Sequence, residues 1–328
     1  MTANEFKNQV EEYRKKFKSE DFKYRLISYI TLGVCIVCFG VILIIITVVD
    51  EKYQLYALIP FFIGLVTIIV FMIFNSKNKK KTQIDSGIQY QENYGETLVK
   101  YEYSDINMEE KVNYLYNGFV SDEELLDPMY FSEIRKSTSR NAVDSKINGN
   151  LFTQIDCAIG IPLVDGTMDK KLIEITTRDK KNGADQMVCG LYGRLYTLKK
   201  NILTNDEDKI IFTFNTEKSY LPTNRDNLHR YTSNEVGVSE RFIPFSNNKD
   251  VIKNFIDNNK NFVELLNSIE FNNVLLGGFI SINKKGVYVA INFSESSLEL
   301  PIKDEVDLEK INVLKKTTEA VVNYFKML

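Results

Sequence analysis

Two long uncharged apolar runs, parted by three charged residues, constrain this chain more than any other feature. The first is Leu26–Val49 and the second Tyr53–Phe74, with Asp50, Glu51 and Lys52 between them. At 1.5 Å per residue, a helix over the first run would be about 36 Å long, enough for a hydrocarbon core of about 30 Å. The short connection predicts an antiparallel transmembrane hairpin over residues 26–74. About 25 largely polar residues precede the first run and no small-residue cleavage pattern closes it, so it reads as a retained anchor rather than a removed signal.

Lysine and arginine near the two runs set the expected orientation. Arg14, Lys15, Lys16, Lys18, Lys23 and Arg25 precede the first run, and Lys77, Lys79, Lys80 and Lys81 follow the second. The connection holds only Lys52. Positive charge stays on the cytoplasmic side, so both termini and the C-terminal domain are expected in the cytoplasm, at the inner membrane of a bacterium. Richness in Asn, Lys and Ile fits an AT-rich bacterial source. Residues 82–328 hold 29 basic and 37 acidic residues, a net of about −8. That balance argues against a nucleic-acid partner, which needs clustered positive charge. The four cysteines form no CxxC in the soluble part and no dense framework, in keeping with a reducing compartment.

The flanking regions divide as follows. Residues 1–25 read as an amphipathic helix, with Phe6, Val10, Tyr13 and Phe17 on one stripe that packs within the protein or an oligomer, insertion at the lipid interface being the other reading. Gly33, Gly40 and Gly64 permit close approach of the two spans, and Cys35 and Cys38 share a helix face as small packing residues. Residues 75–95 read as a basic membrane-edge segment followed by a linker or the tail of a helix. Residues 96–328 are expected to form an α+β domain of mainly antiparallel sheet with flanking helices. Helices are predicted at Met108–Tyr116, Glu123–Lys136, Asp250–Asp257, Asn261–Ile269 and Asp307–Leu328, with Asn258 or Asn259 capping the fourth. Strands are predicted at Leu151–Leu163, Leu172–Thr177, Met187–Leu198, Ile210–Phe214, Arg241–Phe245, Val274–Ile282 and Val287–Phe293, the last two joined by a hairpin turn at Asn283–Gly286.

Chemistry is sparse. His229 is the one histidine, which excludes any site needing two from this chain. No phosphate-binding glycine loop, dinucleotide fingerprint, nucleophile elbow or zinc helix is present. Asp206, Glu207 and Asp208 lack the alternating ligands of a calcium loop. Cys157 and Cys189 read as buried small hydrophobes, with cross-strand oxidation as the other reading. No catalytic, cofactor or metal residue is therefore assigned. Tyr192, Tyr196, Tyr220 and Tyr231, with the Phe6–Phe17 stripe, are the candidate interaction surface if they lie exposed.

Three segments resemble a family. Cys189–Leu198 (CGLYGRLYTL), Arg241–Ile269 and Gly277–Phe293 are similar to the strand, strand–helix–helix and hairpin of a bacterial membrane-protein family, domain-of-unknown-function family 3137. The resemblance covers roughly residues 100–328, and two N-terminal spans fit it. It implies no catalytic residue. It does imply a LemA-like membrane partner. Together these readings predict a membrane-anchored, non-enzymatic interaction or scaffold protein that meets the lipid bilayer and either such a partner or a second copy. The alternative is a membrane-associated enzyme or ligand sensor acting on lipid or envelope precursors.

Overall fold

From Ala3 to Val48 the chain contains no proline and only two glycines, and nothing interrupts its helical hydrogen bonding. In the computed structural model the whole stretch is one helix, α1 (Ala3–Val48), so the amphipathic segment and the first apolar run are continuous. The structure describes residues 1–48, 56, 58–73, 80–162, 187–216, 219–224, 227–294 and 305–328. These fall into two compact units: Lys7–Tyr94 with Leu300–Val306, and Met1–Phe6 with Gly95–Glu299 and Asp307–Leu328.

The first unit is helical. Besides most of α1 it contains α2 (Leu58–Ile73) and most of α3 (Lys80–Glu102). Leu26–Thr47 of α1 is long and apolar enough to cross a membrane, and only 6% of it is buried. Helix α2 is equally apolar, but its 16 residues fall short of the usual span. One clear span candidate, not two, therefore stands among the described residues, and the connecting residues 49–55 lie outside them. Thr31, Thr47 and Thr67 each donate a hydroxyl hydrogen bond to the carbonyl four residues earlier, at 2.7 Å. Such back-bonding satisfies a polar group where no water is at hand.

Within this unit Phe17 meets Tyr90 with ring centroids 5.8 Å apart, and a Cβ on Gly64 would touch Cys38 at 3.4 Å. These contacts bring α2 against α1 at Cys38 and α3 against α1 at Phe17. The expected close approach is met at Gly64 with Cys38, but not at Gly33 or Gly40, which have no neighbour within 4 Å of a Cβ. Of the two readings of residues 75–95, a linker or the tail of a helix, the helix holds from Lys80 onward, as α3, and Gly87 is tolerated where Phe17 packs over it.

Among the described residues the second unit is a nine-stranded antiparallel sheet with helices. Its strands are β1 (Asn113–Leu115), β2 (Lys136–Ile147), β3 (Asn150–Pro162), β4 (Met187–Leu198), β5 (Ile210–Phe214), β6 (His229–Arg230), β7 (Phe242–Ser246), β8 (Leu275–Asn283) and β9 (Gly286–Phe293). The order across the sheet is β1-β2-β3-β4-β9-β8-β5-β7-β6, and every pair is antiparallel. Its helices are α4 (Asp122–Leu126), α5 (Ser233–Val236), α6 (Lys249–Asn258), α7 (Lys260–Ser268) and α8 (Leu308–Met327), besides the end of α3.

Alternation along the strands gives the sheet two buried faces. Ile155, Cys157, Ile159, Leu195, Ile211, Phe279 and Ala290 line one face, under Leu125, Tyr130, Phe131 and Tyr220. Tyr130 stacks on Phe279 at 3.7 Å, and its hydroxyl bonds Thr213 (2.8 Å) and the Tyr220 carbonyl. The other face carries Phe152, Phe212 and Phe214 and is covered by helices. Phe212 meets Phe262 of α7 at 4.9 Å, and Phe152 meets Phe325 of α8 at 6.0 Å. Gly193 and Gly278 flank β9 so closely that a Cβ on either would lie 1.9 Å from a β9 carbonyl.

Several expectations need correction. The helix expected at Met108–Tyr116 is replaced by β1, and the helix from Glu123 stops at Leu126, ahead of Asp127-Pro128. Strand β2 was not expected at all, because its residues are mostly polar and a bulge between Arg140 and Val143 breaks the alternation. Asn259 precedes α7, yet its side chain donates to the Phe255 carbonyl (2.8 Å) and does not cap the helix. Leu172–Thr177 lies outside the described residues.

Candidate functional site

The eight candidate surface residues divide by burial. Tyr192 is 40% exposed, and Tyr13, Phe17 and Tyr231 are half-buried. Phe6, Val10, Tyr196 and Tyr220 are buried, so none of these four forms an interaction surface. The reason differs among them. Phe6 stacks on Tyr101 at 5.0 Å, Tyr220 belongs to the core beneath the sheet, and Tyr196 faces the helices. Tyr231 lines an open depression of about 390 Å3 at the β7 edge, with Arg230, Asn234, Glu240 and Phe242 among its walls. Two backbone groups there are already paired. Tyr231 N donates to the Pro244 carbonyl at 3.0 Å, and Ser233 Oγ donates to the Phe242 carbonyl at 2.7 Å. His229 is exposed on β6.

Tyr196 leads to the chemically densest place in the domain. Asp156 of β3 and Arg194 of β4 are cross-strand partners on the helix-covered face. Arg194 is fully buried, as is Glu102 at the end of α3. Its guanidinium donates to Glu102 Oε2 at 2.9 Å, Asp156 Oδ1 at 3.1 Å and Thr318 Oγ1 of α8 at 3.2 Å. Tyr196 and Thr318 share a 2.9 Å hydroxyl bond. Asn141 donates to Asp156 Oδ2 at 3.2 Å, and Tyr114 donates to Asn141 Oδ1 at 2.9 Å. The ring of Phe293 lies 5.9 Å from the guanidinium carbon. One cation thus ties α3, β3, β4 and α8 together.

Its electrostatics are unbalanced. Two carboxyl groups face one guanidinium, while Glu102 Oε1 and Arg194 Nη2 find no partner. Burial raises the Asp156 carboxyl to about 7, a rise that Arg194 opposes and the neighbouring Glu102 reinforces. Tyr103, whose hydroxyl donates to Gln154 at 2.6 Å, is pushed well up by burial. Arg194 and Glu102 are fully buried, so the cluster is placed to hold a proton and to position the elements that meet there.

Sequence reasoning missed this cluster. Its signal was present, because Arg194 is the only charged residue in CGLYGRLYTL and Asp156 the only one in β3. A lone charge inside an apolar strand calls for a buried partner. The cysteines do not pair: Cys157 stands opposite Gly193 and Cys189 opposite Gly160, and both thiols are pushed up by burial. No group of three metal-ligating side chains occurs among the described residues. No protein-family model, curated protein or solved structure matches this chain.

Proposed function

We propose that this chain is a membrane-anchored, non-enzymatic interaction protein, held by a two-span helical hairpin that keeps its α+β domain in the cytoplasm. The observation that carries the reading is where Met1–Phe6 sit. They belong to the same compact unit as Gly95–Glu299, with Phe6 stacked on Tyr101 at 5.0 Å and Ser104 Oγ donating to the Met1 carbonyl at 3.5 Å. The shared unit supports a reading in which both ends of the hairpin sequence lie on one side of the bilayer. If Leu26–Thr47 crosses, the chain must cross back before Gly95, and the apolar α2 is what lies between. The charge bias then makes that side cytoplasmic.

Tethering raises the effective concentration for a second membrane-bound partner, and that is the mechanism we assign. Resemblance to domain-of-unknown-function family 3137 makes a LemA-like protein the first partner to test, beside a second copy of this chain. The runner-up reading, a membrane-associated ligand sensor or enzyme, draws on the depression around Tyr231 and Arg230.

Single cysteines at Asn4→Cys, Glu51→Cys and Lys284→Cys, each in a background without the native cysteines, test the anchor with a membrane-impermeant maleimide. The expected result is labelling of position 51 in intact spheroplasts and of positions 4 and 284 only after lysis. Labelling of 4 and 284 from opposite sides would sink the hairpin. A photo-crosslinker at Tyr192 then tests the interaction. An adduct with the LemA-like protein or a second copy supports tethering, and its absence with retained small-molecule binding at the depression favours the runner-up.

A further inference from the structure

We infer that the Glu102–Arg194–Asp156 cluster is a proton-controlled latch, which holds the last turn of α3 on the sheet while it carries one proton and loosens that turn when the proton leaves. The inference is independent of the membrane reading.

The argument begins with charge. A guanidinium facing two carboxylates leaves a net charge of −1 where Arg194 and Glu102 are fully buried and the Asp156 side chain is 11% exposed, and burying an unbalanced charge is unfavourable. One proton on the cluster restores neutrality. Asp156 is the group placed to take it, since burial lifts its carboxyl to about 7. Asn141 can receive that proton by turning its amide, so that its oxygen accepts from Asp156 and its nitrogen donates to the Tyr114 hydroxyl.

The groups facing Asp156 come from every neighbouring element. Arg194 and Tyr196 lie on β4, Glu102 and Tyr103 at the end of α3, Asn141 on β2 and Thr318 on α8. Among these, burial pushes Tyr103 and Tyr196 up, away from neutrality, so Asp156 is the group whose shift falls near pH 7.

Which contact yields follows from where the partners sit. Asp156 and Arg194 are directly paired in the β3–β4 ladder, which keeps their Cα atoms side by side. Glu102 is the last residue of α3. A helix end frays readily, and a carboxylate there opposes the helix dipole. Its Oε1 has no donor to hold it. When Asp156 ionises, both carboxylates compete for Arg194, and the movable one leaves. A raised folded-state pKa means that stabilisation is present at low pH and lost as pH rises through about 7.

Backbone hydrogen exchange of the full chain in lipid nanodiscs tests the latch from pH 5.5 to 8.5. After division by the intrinsic chemical rate, exchange across residues 98–106 should climb as pH rises towards about 7 and level off above it, by at most about tenfold per pH unit for one proton. The hairpin Phe279–Ile291 should stay flat as the internal control. Asp156→Asn and, separately, Glu102→Gln should remove the slope, because each leaves one carboxylate for one guanidinium. A flat wild-type profile overturns the latch even if neither variant folds, and so does a slope that persists in both variants.

Discussion

Phe39 and Phe212 are the same side chain in opposite settings. Phe39, in the apolar stretch of α1, is 50% exposed, whereas Phe212 on β5 is fully buried between its sheet neighbours and α7. Nor is Phe39 alone, because Ile36, Val37, Leu43 and Ile44 of α1 and Phe62, Val66 and Met72 of α2 are more exposed still. Each square ångström of apolar surface left in water forgoes about 25 cal/mol, so a continuous surface of this kind is unsuited to water. The sheet unit solves the same problem internally, by covering both faces. The contrast teaches that the two units are written for different surroundings, and lipid is the cover our proposal supplies for the first.

Five single substitutions and one triple replacement sharpen or break that contrast, the largest expected effects first and each control beside its partner. Arg194→Ala should destabilise the sheet unit by about 3–5 kcal/mol in denaturant unfolding, because it strands two buried carboxyls. Replacing the set together (Arg194→Met, Glu102→Leu, Asp156→Leu) should recover most of that loss, and failure to do so would mean the ion cluster contributes more than its charges cost. Phe212→Ala should lose about 3–4 kcal/mol by the same assay, while Phe39→Ala should change domain unfolding by less than about 0.5 kcal/mol. Equal losses at the two phenylalanines would erase the distinction drawn here. Gly193→Ala should cost about 1–3 kcal/mol, since its Cβ must push the Ile291 carbonyl aside. Asn248→Ala removes the cap that accepts from Asp250 N (2.9 Å) and should cost about 1 kcal/mol, read as a small shift in midpoint.

Legibility varied with the kind of signal each segment carried. Strands β4 and β5 and the β8–β9 hairpin were readable because their apolar residues are dense and their turns short. Helix α8 was readable from its stripe, and Asp307 caps it as a start signal should, accepting from Glu309 N and Lys310 N. Strand β2 was not readable from composition, although Asn148-Gly149 marked its hairpin with β3. Both residues take positive φ, 50° and 74°, as a two-residue turn of that kind requires. The interaction residues fared worst, because Tyr196 and Tyr220 look the same in sequence whether a helix covers them or not.

The sequence by itself determined the apolar helix near the N-terminus, the α+β class and the antiparallel pairing. These follow from local properties: runs of uncharged residues, period-two alternation and short polar connections. Only the tertiary structure decided that Met1–Phe6 and Gly95 onward share a unit, that Arg194 meets Glu102 from 92 residues away, and which tyrosines are covered. Those outcomes depend on contacts between distant segments, and burial of a side chain is a property of its neighbours, which no local pattern encodes.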